Sequence, residues 1–234
     1  MNFVVQAPNR KKTVLVFDVE TSGLLPKKDK SSVNHIPIEA YPYILQLSYA
    51  KYDIVTNTLL ETYDTYIKVK KDVELSQTIT DLTGITRKDI LRGINIIDAL
   101  SRFYEAYITS DVIVAHNNEF DIKMILIEIE RNRIEILKKS PECMTIFNPT
   151  YEELNGVEHY CTMRKGTILA NIIVESKIQG RPPSLKWPRL NELYGKLFEN
   201  ETVKGLHNAM VDVLVCLRCY MKMRHNHDCG LLVS

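Results

Sequence analysis

The chain has 234 residues, a formal net charge of +1, 45% hydrophobic and 25% charged residues, the balance of an ordinary soluble globular protein with room for one sizeable core. It holds no run of about eighteen apolar residues, so no membrane span is expected. The N-terminal MNFVVQAPNRKKT puts its basic residues after a short apolar stretch, the reverse of a secretory signal, so an intracellular protein is expected. Five cysteines, an odd number, do not form the pattern of a disulfide framework. The near-neutral charge argues against a protein that coats duplex DNA by neutralising phosphates; any nucleic-acid contact must be local, in a pocket holding a strand end.

Thr13–Val19 (TVLVFDV) is a β-branched, nearly unbroken apolar run, the pattern of a strand buried on both faces, and it ends in the polar turn Glu20-Thr21-Ser22-Gly23. Leu24 to Pro42, with three prolines and a basic cluster at Lys27, Lys28 and Lys30, reads as a solvated loop insertion. Tyr43–Ile54 and Leu59–Val69 read as an antiparallel hairpin turning around Asn57. Gln77–Thr83 and Thr86–Leu91 are short helical turns split by Gly84, and Asn95 or Asp98 caps a helix running to about Ile108. Asp111–Ala115 (DVIVA) is a second buried strand. Asn118–Ile136 is a helix, with Ile122, Ile125, Leu126 and Ile129 at helical spacing.

Lys138 to Pro183, with two prolines before Gly156 and further glycines at 166 and 180, is the least legible stretch; only His159–Thr162 suggests a strand. Pro188 sits where a helix lined by Leu190, Leu193, Tyr194 and Leu197 would begin, and a last helix runs from about His207 to Met223. The simplest packing is α/β: one domain over residues 13–224 with a mixed β-sheet flanked by α-helices, an N-terminal extension at 1–12 and a polar tail at 225–234.

Acidic side chains fall where folding alone would not place them. Asp18 and Glu20 sit two apart at the end of a strand, so both carboxylates project from one face. Like charges that close together are destabilising unless a cation or proton lies between them. Asp121 follows the other buried strand, in the first turn of a helix, where the helix dipole alone would explain it. Asp212 lies inside the apolar run Ala209–Leu217, an expensive position for an unpaired carboxylate. His207, five residues earlier, is placed to overhang one end of the same site. Sites in open α/β sheets form at the carboxyl ends of strands, and an all-oxygen donor set favours Mg²⁺ or Mn²⁺ over zinc.

At these residues the chain resembles the DnaQ-like, RNase H-fold exonucleases of the DEDDh type. FDVETSGL (Phe17–Leu24), AHNNEFD (Ala115–Asp121) and HNAMVD (His207–Asp212) match the three motifs of that family in order and spacing across almost the whole chain. LTGIT (Leu82–Thr86), CTM (Cys161–Met163) and KWPRLNELYGKLF (Lys186–Phe198) are supporting matches. The resemblance implies an RNase H-like fold and a 3′→5′ exonuclease holding two divalent cations, Mg²⁺ or Mn²⁺. Asp18 would bridge both ions, Glu20 and Asp212 would complete the coordination of the first ion, Asp121 would hold the second, and His207 would be the general base. It also implies substrate contacts from Thr21, Ser22, Gly23, Leu24, Ile85, Asn117 and Phe120. The partner implied is a single-stranded 3′ end, with DNA ahead of RNA; an exoribonuclease and an inactive binding module are the alternatives, and a homodimer or a polymerase partner is compatible with either. The Lys138–Pro183 stretch is longer than in minimal members, and Cys161 stands where many relatives have Asp.

Three further features have plainer readings. His116 orients the turn beside Asp121. Trp187 is a packing anchor, with base stacking as the sharper alternative. Cys216, Cys219, His225, His227 and Cys229 invite a zinc reading, but the first two cysteines fill a helix face as small hydrophobes.

Overall fold

The computed structural model describes residues 12–27, 36–176, 180, 182–199 and 201–231; Lys28 and Lys30 of the basic cluster lie outside them. In chain order the elements are β1 (Thr13–Thr21), β2 (Ile44–Asp53), β3 (Thr58–Tyr66), α1 (Gln77–Thr83), α2 (Arg87–Arg92), α3 (Ile96–Tyr107), β4 (Val112–Ala115), α4 (Asn118–Arg131), α5 (Arg133–Lys139), α6 (Pro149–Asn155), β5 (Glu158–Cys161), α7 (Thr162–Ala170), β6 (Ile173–Val174), β7 (Ser184–Leu185), α8 (Leu190–Leu197) and α9 (Ala209–His225). Short 3-10 turns occupy Ile38–Ala40 and Pro141–Thr145.

The main sheet has strand order β3-β2-β1-β4-β5. β1 pairs antiparallel with β2 and β2 with β3, whereas β4 runs parallel to both β1 and β5. The result is a mixed sheet flanked by helices, the RNase H-like arrangement expected from the motifs. The hairpin turn contains Asn57 in the left-handed region (φ 54°), and Asp53 Oδ1 accepts the Val55 and Thr56 N–H groups at 2.7 and 3.0 Å.

Strand parity decides where the core and the site lie. Leu15, Phe17 and Val19 of β1 join Ile113 and Ala115 of β4 in a cluster with α3 and α4, closed by Phe103, Tyr107, Met124 and Phe147. Val14 and Val16 join Val112 and Val114 in a cluster with Val213, Cys216, Leu217 and Tyr220 of α9. Because side chains alternate across a strand, the next even positions of β1, Asp18 and Glu20, continue the face covered by α9.

The expected helix Asn118–Ile136 is two helices. Asn132 ends α4, its side-chain Nδ2 donating to the Glu128 carbonyl at 2.9 Å; a short polar side chain that captures a helical carbonyl competes with continuation of the helix. The stretch from Lys138 to Pro183 is built from short capped elements. Asn148 caps α6 by accepting from Tyr151 N–H at 3.0 Å, Pro149 starts it, and Gly156 ends it in the left-handed region at φ 63°. Pro188 lies two residues before α8, with Arg189 as its N-cap. Asp212 is in the first turn of α9, not its interior, so the N-terminal end of that helix dipole favours its negative charge. All five cysteines are free; Cys216 and Cys219 pack in two different apolar clusters on α9. Among the described residues, no helix is long and apolar enough to cross a membrane.

Candidate active site

The site forms at the carboxyl ends of β1 and β4. At the end of β1 the pairing with β2 slips between Glu20 and Thr21, so that Glu20 faces Gln46 and Thr21 faces Ile44. Such irregularities bend a strand and re-aim its side chains, here beside the two acidic residues. Asp121 arrives from the other side of the sheet. Asn117 adopts the left-handed region at φ 76°, starting α4, and Asp121 in its first turn accepts the Val19 N–H at 3.3 Å. It is buried, at 3% exposure.

Asp212 and His207 come from the start of α9. Asn208 caps this helix, accepting from the Met210 and Val211 N–H groups at 3.1 and 3.4 Å. His207 precedes it in the left-handed region at φ 70° and donates its backbone N–H to Asp212 Oδ2 at 3.2 Å. Glu20, His207 and Asp212 each offer a ligand atom, and these atoms all lie within 4.8 Å of one another.

The electrostatics bind the carboxylates into one group. Burial, then the charges of Asp121, Asp212 and Glu20, push Asp18 well above the ordinary carboxylate range. Burial, then Asp212 and Asp121, push Glu20 up to about 8. Burial raises Asp121, and its neighbour Asp212 adds to this. Asp212 is raised chiefly by burial, partly offset by the His207 N–H. Among the described residues Asp212 Oδ1 is buried with no hydrogen-bond partner. Buried acceptors are almost always satisfied, and clustered carboxylates need positive charge to ionise together. Hard, oxygen-liganded divalent cations fit this donor set.

Two clefts open beside the cluster. One of about 580 Å³ is lined by residues including Ser22, Gly23, Leu24, Tyr41 and Lys70. The other, of about 550 Å³, is lined by Leu25, Pro26, Tyr41, Asn117, Glu119, Phe120 and Lys123. Five of the residues expected to face a nucleotide are thus at cleft walls: Ser22, Gly23 and Leu24 at the first, Asn117 and Phe120 at the second. Thr21 is buried and its hydroxyl donates to the Gly23 carbonyl at 2.7 Å, closing the turn. Ile85 is a correction. At 1% exposure it is packed with Leu45 and Ile90, so its side chain is core and not a wall for a base or sugar.

The structure adds residues that the motifs did not single out. Tyr41 lines both clefts. The loop carrying it is held by Arg131, which pairs with Glu128, donates to the Tyr41 and Pro42 carbonyls at 2.9 Å each, and lies 3.8 Å from the Tyr43 ring centre. Glu128, three residues before Arg131 within an apolar helix, was the available signal. His116, expected to orient the turn beside Asp121, is hydrogen-bonded by Nδ1 to Thr162 Oγ1 at 2.9 Å and by Nε2 to the Pro188 carbonyl at 3.0 Å. Burial lowers its pKa to about 4, so it stays neutral, with the Nε2–H as donor. Trp187 is also a correction: it is 58% exposed and anchors no core.

The "DNA polymerase III PolC-type" of Streptococcus suis is 31% identical to the chain over 127 residues, covering 54% of this chain and 8% of the polymerase. Its Bacillus subtilis counterpart is 29% identical over 131 residues, again covering 8% of the polymerase. The chain therefore spans under a tenth of the length of these relatives. Among solved structures, E. coli exonuclease I in complex with a dT13 oligonucleotide superposes with a TM-score of 0.60 at 19% identity, over 92% of this chain and 42% of that one. Cell-death related nuclease 4 (CRN-4) superposes with a TM-score of 0.60 at 15% identity, over 92% and 64%. At these identities the superpositions establish the shared fold. The RNase_T family model, described as Exonuclease, matches residues 15–220. The chain belongs to the RNase_T exonuclease family.

Proposed function

We propose that the chain is a metal-dependent 3′→5′ exonuclease that acts on single-stranded or frayed DNA ends and releases nucleoside 5′-monophosphates. The observation that carries this reading is the gathering of Asp18, Glu20, Asp121 and Asp212, each held above the usual carboxylate range, with the His207 ring at their edge. The four carboxylates would hold two divalent cations, Mg²⁺ or Mn²⁺. When bound, such ions activate water and stabilise the leaving oxygen of a phosphodiester.

The chain's own groups do the rest. His207 is exposed at the mouth of the site, where it takes the proton of the attacking water as general base. The Asp212 carboxylate fixes the His207 backbone and hence the base it carries. The Ser22–Leu24 turn and the Asn117–Phe120 turn receive the terminal nucleotide between them. DNA is favoured over RNA by the likeness to the PolC-type DNA polymerases, which also supports a polymerase as partner.

Digestion of matched DNA and RNA oligonucleotides labelled at the 5′ end tests this. With Mg²⁺ or Mn²⁺, a ladder of shortening 5′-labelled DNA is expected. Immediate release of the label as a mononucleotide would show the opposite polarity, and preferential digestion of RNA would make the enzyme an exoribonuclease.

A further inference from the structure

Trp187, left exposed beside the second motif, has a rigid connection to the site. β6 and β7 form a two-stranded ribbon in which Ile173 faces Leu185, and Lys186 N–H extends the pairing to the Ile172 carbonyl at 2.9 Å. Pro188, the neighbour of Trp187, is bonded to His116, the residue before the turn that starts α4. On the other side the Arg164 guanidinium lies 5.6 Å from the indole centre and pairs with Glu119 at 2.6 Å. Glu119 lines the second cleft with Phe120 and Lys123, two residues before Asp121. Trp187 is thus tied through its neighbour Pro188 to His116 and through Arg164 to Glu119, on either end of the turn that leads to Asp121.

We propose that Trp187 is a substrate-binding residue, a platform on which a base upstream of the terminal nucleotide stacks as the single strand enters the site. The inference rests on the exonuclease reading above and extends it from the terminal nucleotide to the strand behind it. An aromatic face accepts any base without reading its sequence, and a nearby guanidinium strengthens the contact. Arg164, beside the indole, is exposed, as are its chain neighbour Lys165 and Arg189 two residues after Trp187, a setting that suits a polyanionic strand better than an apolar protein partner. A duplex end cannot offer an unstacked upstream base, so the platform selects single strands.

Trp187 is the chain's one tryptophan, so its emission reports on this contact alone. Steady-state digestion of oligothymidylate with Mg²⁺ should show Trp187→Ala raising KM about tenfold, the ~1.4 kcal/mol of one stacked base, with Trp187→Phe recovering most of the loss. In Mg²⁺, the Asp18→Asn chain should lose tryptophan emission on binding oligothymidylate, and lose less with an oligonucleotide abasic at the second and third positions from its 3′ end. An unchanged KM in Trp187→Ala, or binding by anisotropy with unchanged emission, overturns the platform while leaving the exonuclease reading intact. A wild-type chain that digests neither DNA nor RNA overturns that reading and the platform with it.

Discussion

His207 and Asp212 hold one another across the start of α9. The His207 N–H donates to Asp212 Oδ2 at 3.2 Å, while Asp212 Oδ1 is buried with no hydrogen-bond partner among the described residues. One oxygen of the carboxylate thus fixes the residue read as the base, and the other is left facing the acidic cluster. In the proposed reading a single side chain would join proton transfer to metal holding, which would account for the HxxxxD spacing.

Asp18→Asn removes one of the raised carboxylates of the cluster and leaves its shape. Hydrolysis of labelled oligonucleotide should fall below detection, while thermal unfolding of the metal-free chain shifts upward, because one mutually repelling charge has gone. Wild-type activity in this variant would remove Asp18 from the mechanism.

Metal-free stability should fall as pH rises. The Glu20 carboxyl titrates near 8 in the fold against 4.5 as its ordinary value, so between these values the native chain binds more protons than the unfolded one. Stability is then fully present below the lower value and lost as pH rises through the upper. In EDTA the Tm should drop between about pH 6 and about pH 8, by about 2–4 °C for each kcal/mol lost. Excess Mn²⁺ should reverse the drop. A Tm in EDTA that rises over this window would contradict the raised cluster.

Arg131→Met strips the partner from buried Glu128 and frees the loop that carries Tyr41 to both clefts. Breaking a buried pair from one side costs about 3–5 kcal/mol, which chemical denaturation will read. Glu128→Leu combined with Arg131→Met should be less destabilised than Arg131→Met alone, since no unpaired charge remains.

Gly93→Ala tests a close backbone approach. A Cβ at Gly93 would lie 2.6 Å from the Tyr66 carbonyl oxygen and 2.8 Å from Lys68 N, where the chain after β3 bridges Ile67 to Ile94. Backbone cannot yield as a side-chain tip can, so a loss of about 1–3 kcal/mol is expected from equilibrium unfolding; an unchanged midpoint would show that the two segments separate freely.

The parts that were legible in the sequence are those whose chemistry is local. Asp18 and Glu20 share a face because a strand alternates, and β1, the β2–β3 hairpin and the caps at Asn95 and Gly84 follow from short-range rules. What escaped depends on tertiary contacts. Ile85 carries an apolar side chain beside a turn, and only the packing of Leu45 and Ile90 shows that it points inward. Trp187 is a large apolar residue of the kind a core takes, and only its place in the segment between a two-stranded ribbon and α8 leaves it outside. The break at Asn132 depends on an Asn side chain choosing a helical carbonyl over solvent. Across 138–183, elements of a few residues each carry too little periodicity to be read.

The most direct measurement is isothermal titration of the metal-free chain with Mn²⁺ near neutral pH, in two buffers of different ionisation enthalpy. The expected result is saturable binding whose apparent heat changes with buffer, because Glu20 and its neighbours release protons as the ions take their place. Asp212→Asn should weaken it sharply. A wild-type chain that takes up no Mn²⁺, or takes it up without releasing protons, would contradict the claim that these four carboxylates form one cation-neutralised site.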